Sequence, residues 1–321
     1  MSPLESIKAS LEPELASLNA LIHEHLSADN PLMTTIVERY LRKTGKQIRP
    51  LVVMLCARIF GPIDERVLNA AAAVELLHNA SLIHDDVIDE SKLRRGEPTV
   101  NAVWDNHIAV LVGDFFVSTA LQRAIATSDM RIVEAIGSLG KLLSLGEIDQ
   151  IYNATEHMMG EESYYRVISY KTASLFVACA RVGCLAAGAS EEGTEILARV
   201  AELLGLCFQI RDDIFDYFPA DKVGKPTGND LREGKVTLPL LHALDVRPDA
   251  EMSALLALPS LDTGQVERLQ RYARDNGGIE YAYESMERLR RQADELLDRL
   301  GPSDALDSIK SLFDYIISRD F

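Results

Sequence analysis

Two clusters with the same spacing carry the chemistry in this chain: Asp85-Asp86-Val87-Ile88-Asp89 and Asp212-Asp213-Ile214-Phe215-Asp216. On a helix, residues four apart share a face. Asp85 therefore stands above Asp89 and Asp212 above Asp216, with Asp86 and Asp213 flanking. Three carboxylates in one turn repel each other, and near a C-terminal helix end they also oppose the helix dipole. Apolar neighbours raise the cost: Leu82 and Ile83 precede one cluster, Phe208 and Ile210 the other. A hard divalent cation relieves it, since magnesium takes oxygen ligands, keeps several waters and bridges carboxylates to substrate phosphates. A lone acidic cluster is usually a solvated helix end. Two of identical spacing, both set in apolar helices, point to metal-bridged phosphate chemistry.

The basic residues fall near these clusters. Gly45-Lys46-Gln47-Ile48-Arg49-Pro50 presents Lys46 and Arg49 across a helix start, a good anion site. Arg94 and Arg95 follow the first cluster by one short loop. Lys171-Thr172 falls in a helix otherwise rich in Ala, Val and Leu, and Lys225 and Lys235 flank the polar loop after the second cluster. Singly, each is more simply a surface charge. Together with six aspartates they describe a site for metal-bridged diphosphate plus one metal-free diphosphate held by Lys and Arg. His78, seven residues before Asp85, lies on the same helix face; it reads equally as a core histidine or as a hydrogen-bond donor to a substrate phosphate.

The elements that position these residues read as helices almost throughout, with no convincing strand alternation. Leu4, Ile7, Leu11, Leu15, Leu18 and Leu21 recur at spacings of three and four. Further helices are expected over Pro31 to about Lys43, Arg49 to Phe60 and Asp64 to about Asp89, the last with a small-residue face of Ala70 to Ala73 and Ala80. A polar loop containing Arg94, Arg95, Gly96 and Pro98 follows. Helical patterns then cover about His107–Thr127, Met130–His157, Glu161–Ala187 and Glu191–Phe218, before the longest polar break, Pro219 to Gly234. Shorter helices finish the chain, and with no repeat, linker or composition shift the simplest organisation is one domain over residues 1–321.

Composition narrows the function classes. The formal net charge of −16 argues against nucleic acid or an anionic membrane surface as the main partner. Cys56, Cys179, Cys184 and Cys207 lie in apolar runs without zinc or redox spacing, which reads as buried reduced thiols. The start, MSPLESIKASLEPELASL, lacks the basic and apolar regions of a signal peptide, and no apolar stretch approaches a transmembrane length. A reduced, cytoplasmic location is expected.

These residues resemble the trans-isoprenyl diphosphate synthase family over nearly the whole chain. LIHDDVIDESKLRRGEPTVN is similar to its first aspartate-rich motif and arginine pair; FQIRDDIFDYF with GKPTGNDLREGKVTLPLL is similar to the second motif and its loop. GKQIRP, ELLHNASLIH, GEIDQ and YKTASLF fall in the family's order. The resemblance implies an all-α bundle of antiparallel helices around a deep central cavity, as a homodimer. It implies that Asp85, Asp86 and Asp89 hold magnesium against an allylic diphosphate from one side, and Asp212, Asp213 and Asp216 from the other, with Asp212 the foremost ligand and roughly three ions per site. Arg94, Lys171 and Lys235 would grip that diphosphate with Lys225 assisting. Lys46, Arg49, His78 and Arg95 would seat isopentenyl diphosphate, and Thr172 and Gln209 would lie by the developing allylic cation. Gln47 departs from the pattern, standing where the family often has a basic residue.

The implied reaction is head-to-tail condensation of isopentenyl diphosphate with an allylic diphosphate. Ala80 and Ser81, one turn before Asp85, are small. They are expected to let the growing tail pass between Leu77, Val74 and Ala73 and the facing Phe116, Val117 and Leu121, giving a heptaprenyl to decaprenyl product for a quinone side chain. Alternatives are a short-chain farnesyl or geranylgeranyl synthase and a catalytically idle subunit of a heteromeric synthase. A terpene cyclase would carry a different second metal motif, and idle subunits usually have degraded motifs, whereas both clusters are intact here.

Overall fold

The computed structural model describes residues 2–42, 45–94, 96–155, 160–219 and 227–319, without the side chains of 153–155. The predicted Arg95 and Lys225 contacts lie outside the described residues. Helices dominate, as the periodicity predicts: α1 (Pro3–Ser10), α2 (Glu12–Leu26), α3 (Pro31–Leu41), α4 (Ile48–Phe60), α5 (Glu65–Ile88), α6 (Val100–Val103), α7 (Asn106–Ala126), α8 (Met130–Thr155), α9 (Glu161–Ile168), α10 (Ser174–Ala186), α11 (Glu191–Phe215), α12 (Asn229–Arg232), α13 (Leu238–Val246), α14 (Ala250–Leu256), α15 (Thr263–Asp275), α16 (Gly278–Leu297) and α17 (Asp304–Ser318). Two details differ from expectation. The arginine-bearing loop contains a two-residue antiparallel ladder, Leu93–Arg94 with Glu97–Pro98, closed at Gly96 with φ 76°. The helix expected over 161–187 is broken by a π-turn at Ser169–Ala173, which carries Lys171 and Thr172.

The chain packs as two compact units. The first comprises residues 1–140, 175–198 and 302–309, the second 141–174, 199–301 and 310–321. In the first unit α5 is the organising element. Asp64 caps it through Val67 N at 3.0 Å. Apolar residues all round mark a helix enclosed by others, and Ala70 to Ala73, Leu76 and Ala80 are fully buried. The small face lets α7 lie close: a Cβ on Gly113 would fall 2.1 Å from the His84 ring. On α4, a Cβ on Gly183 of α10 would meet the Val53 carbonyl at 2.3 Å, so these two helices also touch through backbone. Phe116 of α7 is buried, edge-on to Tyr40 with centroids 5.4 Å apart. Val117 and Leu121 correct the expected tail path: both are exposed on the outer face of α7.

In the second unit, α13 packs on α15 and α16, and a Cβ on Gly278 would fall 2.0 Å from the Pro239 carbonyl. Asp262 and Gln265 form a capping box at the start of α15. Against expectation, two helical runs, Asn106–Ala126 and Glu161–Ala186, are long and apolar enough to cross a membrane (mean hydropathy 1.5 and 1.2), a test that core helices also pass. All four cysteines are buried and unpaired by disulfide.

Candidate active site

The first acidic cluster closes α5, with Asp89 N bonded to Asp85 O at 2.8 Å. One residue is 100° of helix, and the three carboxylates fare differently. Asp85 is half-buried and Asp89 exposed, on one face; Asp86 is turned inward and only 4% exposed. Arg94 grips Asp86, its Nε 2.9 and 3.0 Å from the two carboxylate oxygens and its NH2 2.7 Å from Oδ1. Burial works to lower the Arg94 pKa, but the Asp86 carboxylate outweighs it and the guanidinium is raised. Asn101 adds an amide bond to the Asp86 carbonyl at 3.1 Å. Two residues predicted to face the substrate, Asp86 and Arg94, are thus joined to each other in this ligand-free chain.

Around them lies a cavity of about 620 Å³ bordered by Tyr40, Gln47, Glu75, Asn79, Asp86 and Arg94. Gln47 takes a left-handed conformation (φ 52°, ψ 32°) before α4 and donates to Asn19 Oδ1 at 2.8 Å. Its departure from the family pattern therefore serves the packing of α2. Lys46 beside it is exposed; Arg49 is half-buried with its guanidinium 5.9 Å from the Phe176 ring. His78 is buried on α5, and Ser81 donates to its carbonyl at 2.9 Å. Ala80 is fully buried and Ser81 half-buried on the Asp85 face.

The second cluster repeats this arrangement at the end of α11. Asp212 and Asp216 are half-buried, and Asp213 is 3% exposed. Asp213 accepts from Tyr164 Oη at 2.6 Å and from Gln209 Nε2 at 2.7 Å, while Thr172 Oγ1 donates to Gln209 Oε1 at 2.7 Å. Burial, with Asp230 nearby, pushes the Asp213 carboxyl well above the usual range, against the pull of those two bonds. Asp216 accepts the N–H groups of Gly228, Asn229 and Asp230 at 2.7, 3.3 and 3.2 Å, which fixes the returning end of the polar loop. Asp212 pairs with Arg319.

A cavity of about 580 Å³ opens on this cluster, bordered by Tyr164, Lys171, Thr172, Gln209, Asp213 and Lys235. Lys171 is held by α8: Glu147 at 2.5 Å and Gln150 at 3.2 Å. Lys235 pairs with Glu233 at 2.5 Å. The π-turn is the local device, because its extra residue re-aims Lys171 and Thr172, and such turns concentrate at functional sites. Sequence reasoning had no role for Tyr164, Glu147 or Arg319. Glu147 was within reach through GEIDQ, since a buried acid one turn from Gln150 suits a lysine partner; Tyr164 and Arg319 carry no local signal.

The donor set suits a hard divalent ion. Asp85 and Asp89 on one face, and Asp212 and Asp216 on another, offer carboxylate oxygens and no sulfur. Among the described residues no three such side chains converge into a closed cage. Carboxylate oxygens of this kind fit a cation that keeps waters and is completed by substrate phosphate.

Residues 30–274 match the family model described as polyprenyl synthetase. The chain is 38% identical over 242 residues to octaprenyl diphosphate synthase of Escherichia coli (strain K12), covering 75% of each chain. Its fold is similar to a decaprenyl diphosphate synthase from Rhodobacter capsulatus (TM-score 0.93, 32% identity, 99% of both chains). It is also similar to a polyprenyl synthase from Caulobacter crescentus CB15 solved with calcium and isoprenyl diphosphate (TM-score 0.92, 29% identity, 99% of this chain and 98% of that one). The fold is the all-α isoprenoid-synthase fold, and both acidic clusters fall inside the matched span, as do the partners named for them other than Arg319. The chain belongs to the polyprenyl synthetase family.

Proposed function

We propose that this chain is a prenyltransferase that condenses isopentenyl diphosphate head to tail with an allylic diphosphate, dependent on magnesium, to a long trans-polyprenyl diphosphate. The observation that carries it is the pair of intact D-D-x-x-D clusters, each ending a buried helix within the family span. Calcium and isoprenyl diphosphate in the Caulobacter relative support a divalent ion here, with magnesium, roughly three ions per site, as the physiological choice. On this reading residues 1–321 act as one synthase domain.

Bound at Asp85, Asp89, Asp212 and Asp216, the ions would supply positive charge to the leaving diphosphate. Lys171, aimed by Glu147 and Gln150, adds N–H donors to that diphosphate; Lys235 joins it by exchanging its internal partner for phosphate oxygens, and Arg94 by the N–H groups it does not commit to Asp86. The allylic C1–O bond breaks with its electron pair leaving on diphosphate. The double bond of isopentenyl diphosphate, seated by Lys46, Arg49, His78 and Arg95, then forms the new bond to C1. Thr172 donates its proton to Gln209, so its lone pairs are available to the cation. Gln209 is oriented by donating to Asp213, which Tyr164 anchors from the other oxygen. A proton lost from the condensed cation passes to the released diphosphate and restores a double bond. Exclusion of water by the surrounding apolar helices guards the cation from hydrolysis.

A heptaprenyl to decaprenyl product is supported by the small Ala80 and Ser81 and by the octaprenyl and decaprenyl relatives. A homodimer is supported by the exposed stripe of Val110, Val117, Leu121 and Ile125 along α7. A cytoplasmic setting is supported by four buried free thiols. The test is magnesium-dependent diphosphate release from farnesyl plus isopentenyl diphosphate. Asp85→Ala and Asp212→Ala should each lower turnover at least about 100-fold with the melting temperature kept. Full activity in either variant removes the metal assignment, and no release from wild type with any allylic starter favours the idle subunit.

A further inference from the structure

We infer that Arg319 is a built-in counter-ion of the second aspartate cluster: it holds Asp212 in the metal-free protein and yields when a divalent cation takes that carboxylate. Helix α17 ends at Ser318, and Arg319 N still bonds Tyr315 O at 2.9 Å. Its guanidinium is brought back onto α11, 107 residues earlier in the chain, where NH2 pairs with Asp212 Oδ1 and lies 3.4 Å from the Phe208 carbonyl. The side chain is 7% exposed, with the guanidinium carbon 4.7 Å from the Phe208 ring and 5.2 Å from that of Phe215. Arg211, buried just before Asp212, donates to the Arg319 carbonyl and to Tyr283. Both ends of Arg319 are therefore held by one turn of α11.

The contact has the form of a removable one. An arginine committed to a carboxylate normally makes a two-pronged pair, as Arg94 does with Asp86. Arg319 engages a single oxygen of Asp212, and its buried Nε–H has no acceptor among the described residues. Asp212 keeps a side chain 35% exposed, unlike its buried neighbour Asp213. A guanidinium and a divalent ion on one carboxylate repel each other, so occupancy by one weakens the other. By linkage, metal binding loosens the C-terminal residues and their docking weakens metal binding by the same factor. The inference rests on Asp212 being a metal ligand, which the experiment tests separately.

Manganese binding to the full-length protein is measured by the loss of the free-ion electron paramagnetic resonance signal, with inorganic pyrophosphate saturating, for wild type, Arg319→Gln, Arg319→Lys and Asp212→Asn. Arg319→Gln should bind manganese about 5–10-fold more tightly, with Arg319→Lys in between. It should melt lower than wild type without metal and close to wild type with it. Unchanged or weaker manganese binding, with melting lowered equally in both states, would overturn the inference and leave Arg319 a structural residue. Wild-type affinity in Asp212→Asn would instead sink the metal assignment. Should Arg319→Gln not fold, hydrogen exchange of residues 310–319 in wild type decides: faster exchange with manganese and pyrophosphate supports the strap, and unchanged or slower exchange refutes it.

Discussion

Gly146 offers a sharp test of how the site is held. It lies in α8 against the π-turn, where an added Cβ would be 2.9 Å from Lys171 N, 3.1 Å from Tyr170 Cβ and 3.2 Å from Lys171 Cα. Two of these atoms are backbone and cannot rotate away, so the turn must move by about 0.5 Å to reach van der Waals separation. For stability, opposing effects nearly cancel in Gly146→Ala. Alanine gains about 1 kcal/mol of helix propensity, whereas overpacking costs about 1–3 kcal/mol, for a net loss of about 0–2 kcal/mol. Activity has no such compensation. The partners of Lys171, Glu147 and Gln150, sit on the same helix as the new methyl group, so the displacement alters the aim of the lysine. A 1 Å misplacement can cost about 100-fold, and half that distance about 10-fold. Gly137, also in α8 but with nothing within 4 Å of a built Cβ, is the control: Gly137→Ala should stabilise by about 0.5–1 kcal/mol with unchanged turnover. The assay pairs thermal melting with single-turnover condensation of farnesyl and isopentenyl diphosphates. Wild-type turnover in Gly146→Ala, or an equal loss in Gly137→Ala, would refute the positioning role of this contact.

Ser81→Phe, on the Asp85 face, should shorten the product with little change in melting, read by chromatography of labelled chains; Ala80→Phe, at a fully buried position, should shorten it too but lose about 1–3 kcal/mol to overpacking. Unchanged product length in both would end the small-residue argument. Asp129 pairs with Arg66 and Arg131, and its hydrogen bonds to Arg131, with the charges of both arginines, lower its carboxyl to about 2 against a burial effect that raises it. A depressed carboxyl stabilises the fold above its unfolded value near 4 and loses that contribution as pH falls towards 2. Asp129→Asn should therefore cost about 1 kcal/mol at pH 7, after allowance for the exposed Arg131. Denaturant melts should show the gap narrowing below about pH 4, and a gap constant down to pH 3 would count against the ion pairs.

The helices were legible because apolar spacing and end signals agreed, as with Asp64 before α5 and Gly61 after α4. The acidic clusters and their basic company were legible for a different reason, since charge in an apolar helix demands an explanation locally. What escaped was set by distant contacts. The π-turn at 169–173 has no sequence marker, because the residue that permits it, Gly146, is more than twenty positions away. Val117 and Leu121 repeat at helical spacing like any core pair, and only the packing of α7 on α5 shows that they face outward. Arg319 is an unremarked terminal arginine until the fold returns it to Asp212.

The doubled aspartate at the head of each motif has a physical reason that spacing alone conceals. The first and fifth positions of D-D-x-x-D share a face and remain at least partly exposed in both copies; the second, 100° round the helix, is turned inward, with Asp86 4% and Asp213 3% exposed. Each inward carboxylate takes its donors from its own unit, Arg94 in one case and Tyr164 with Gln209 in the other. A buried carboxylate is tolerated only when so satisfied, and once satisfied it resists rotation of the helix end. The second aspartate thus works as an anchor that orients the outer pair. In the second cluster the anchor also reaches Thr172 through Gln209, which ties the orientation of the acidic face to the π-turn that carries Lys171.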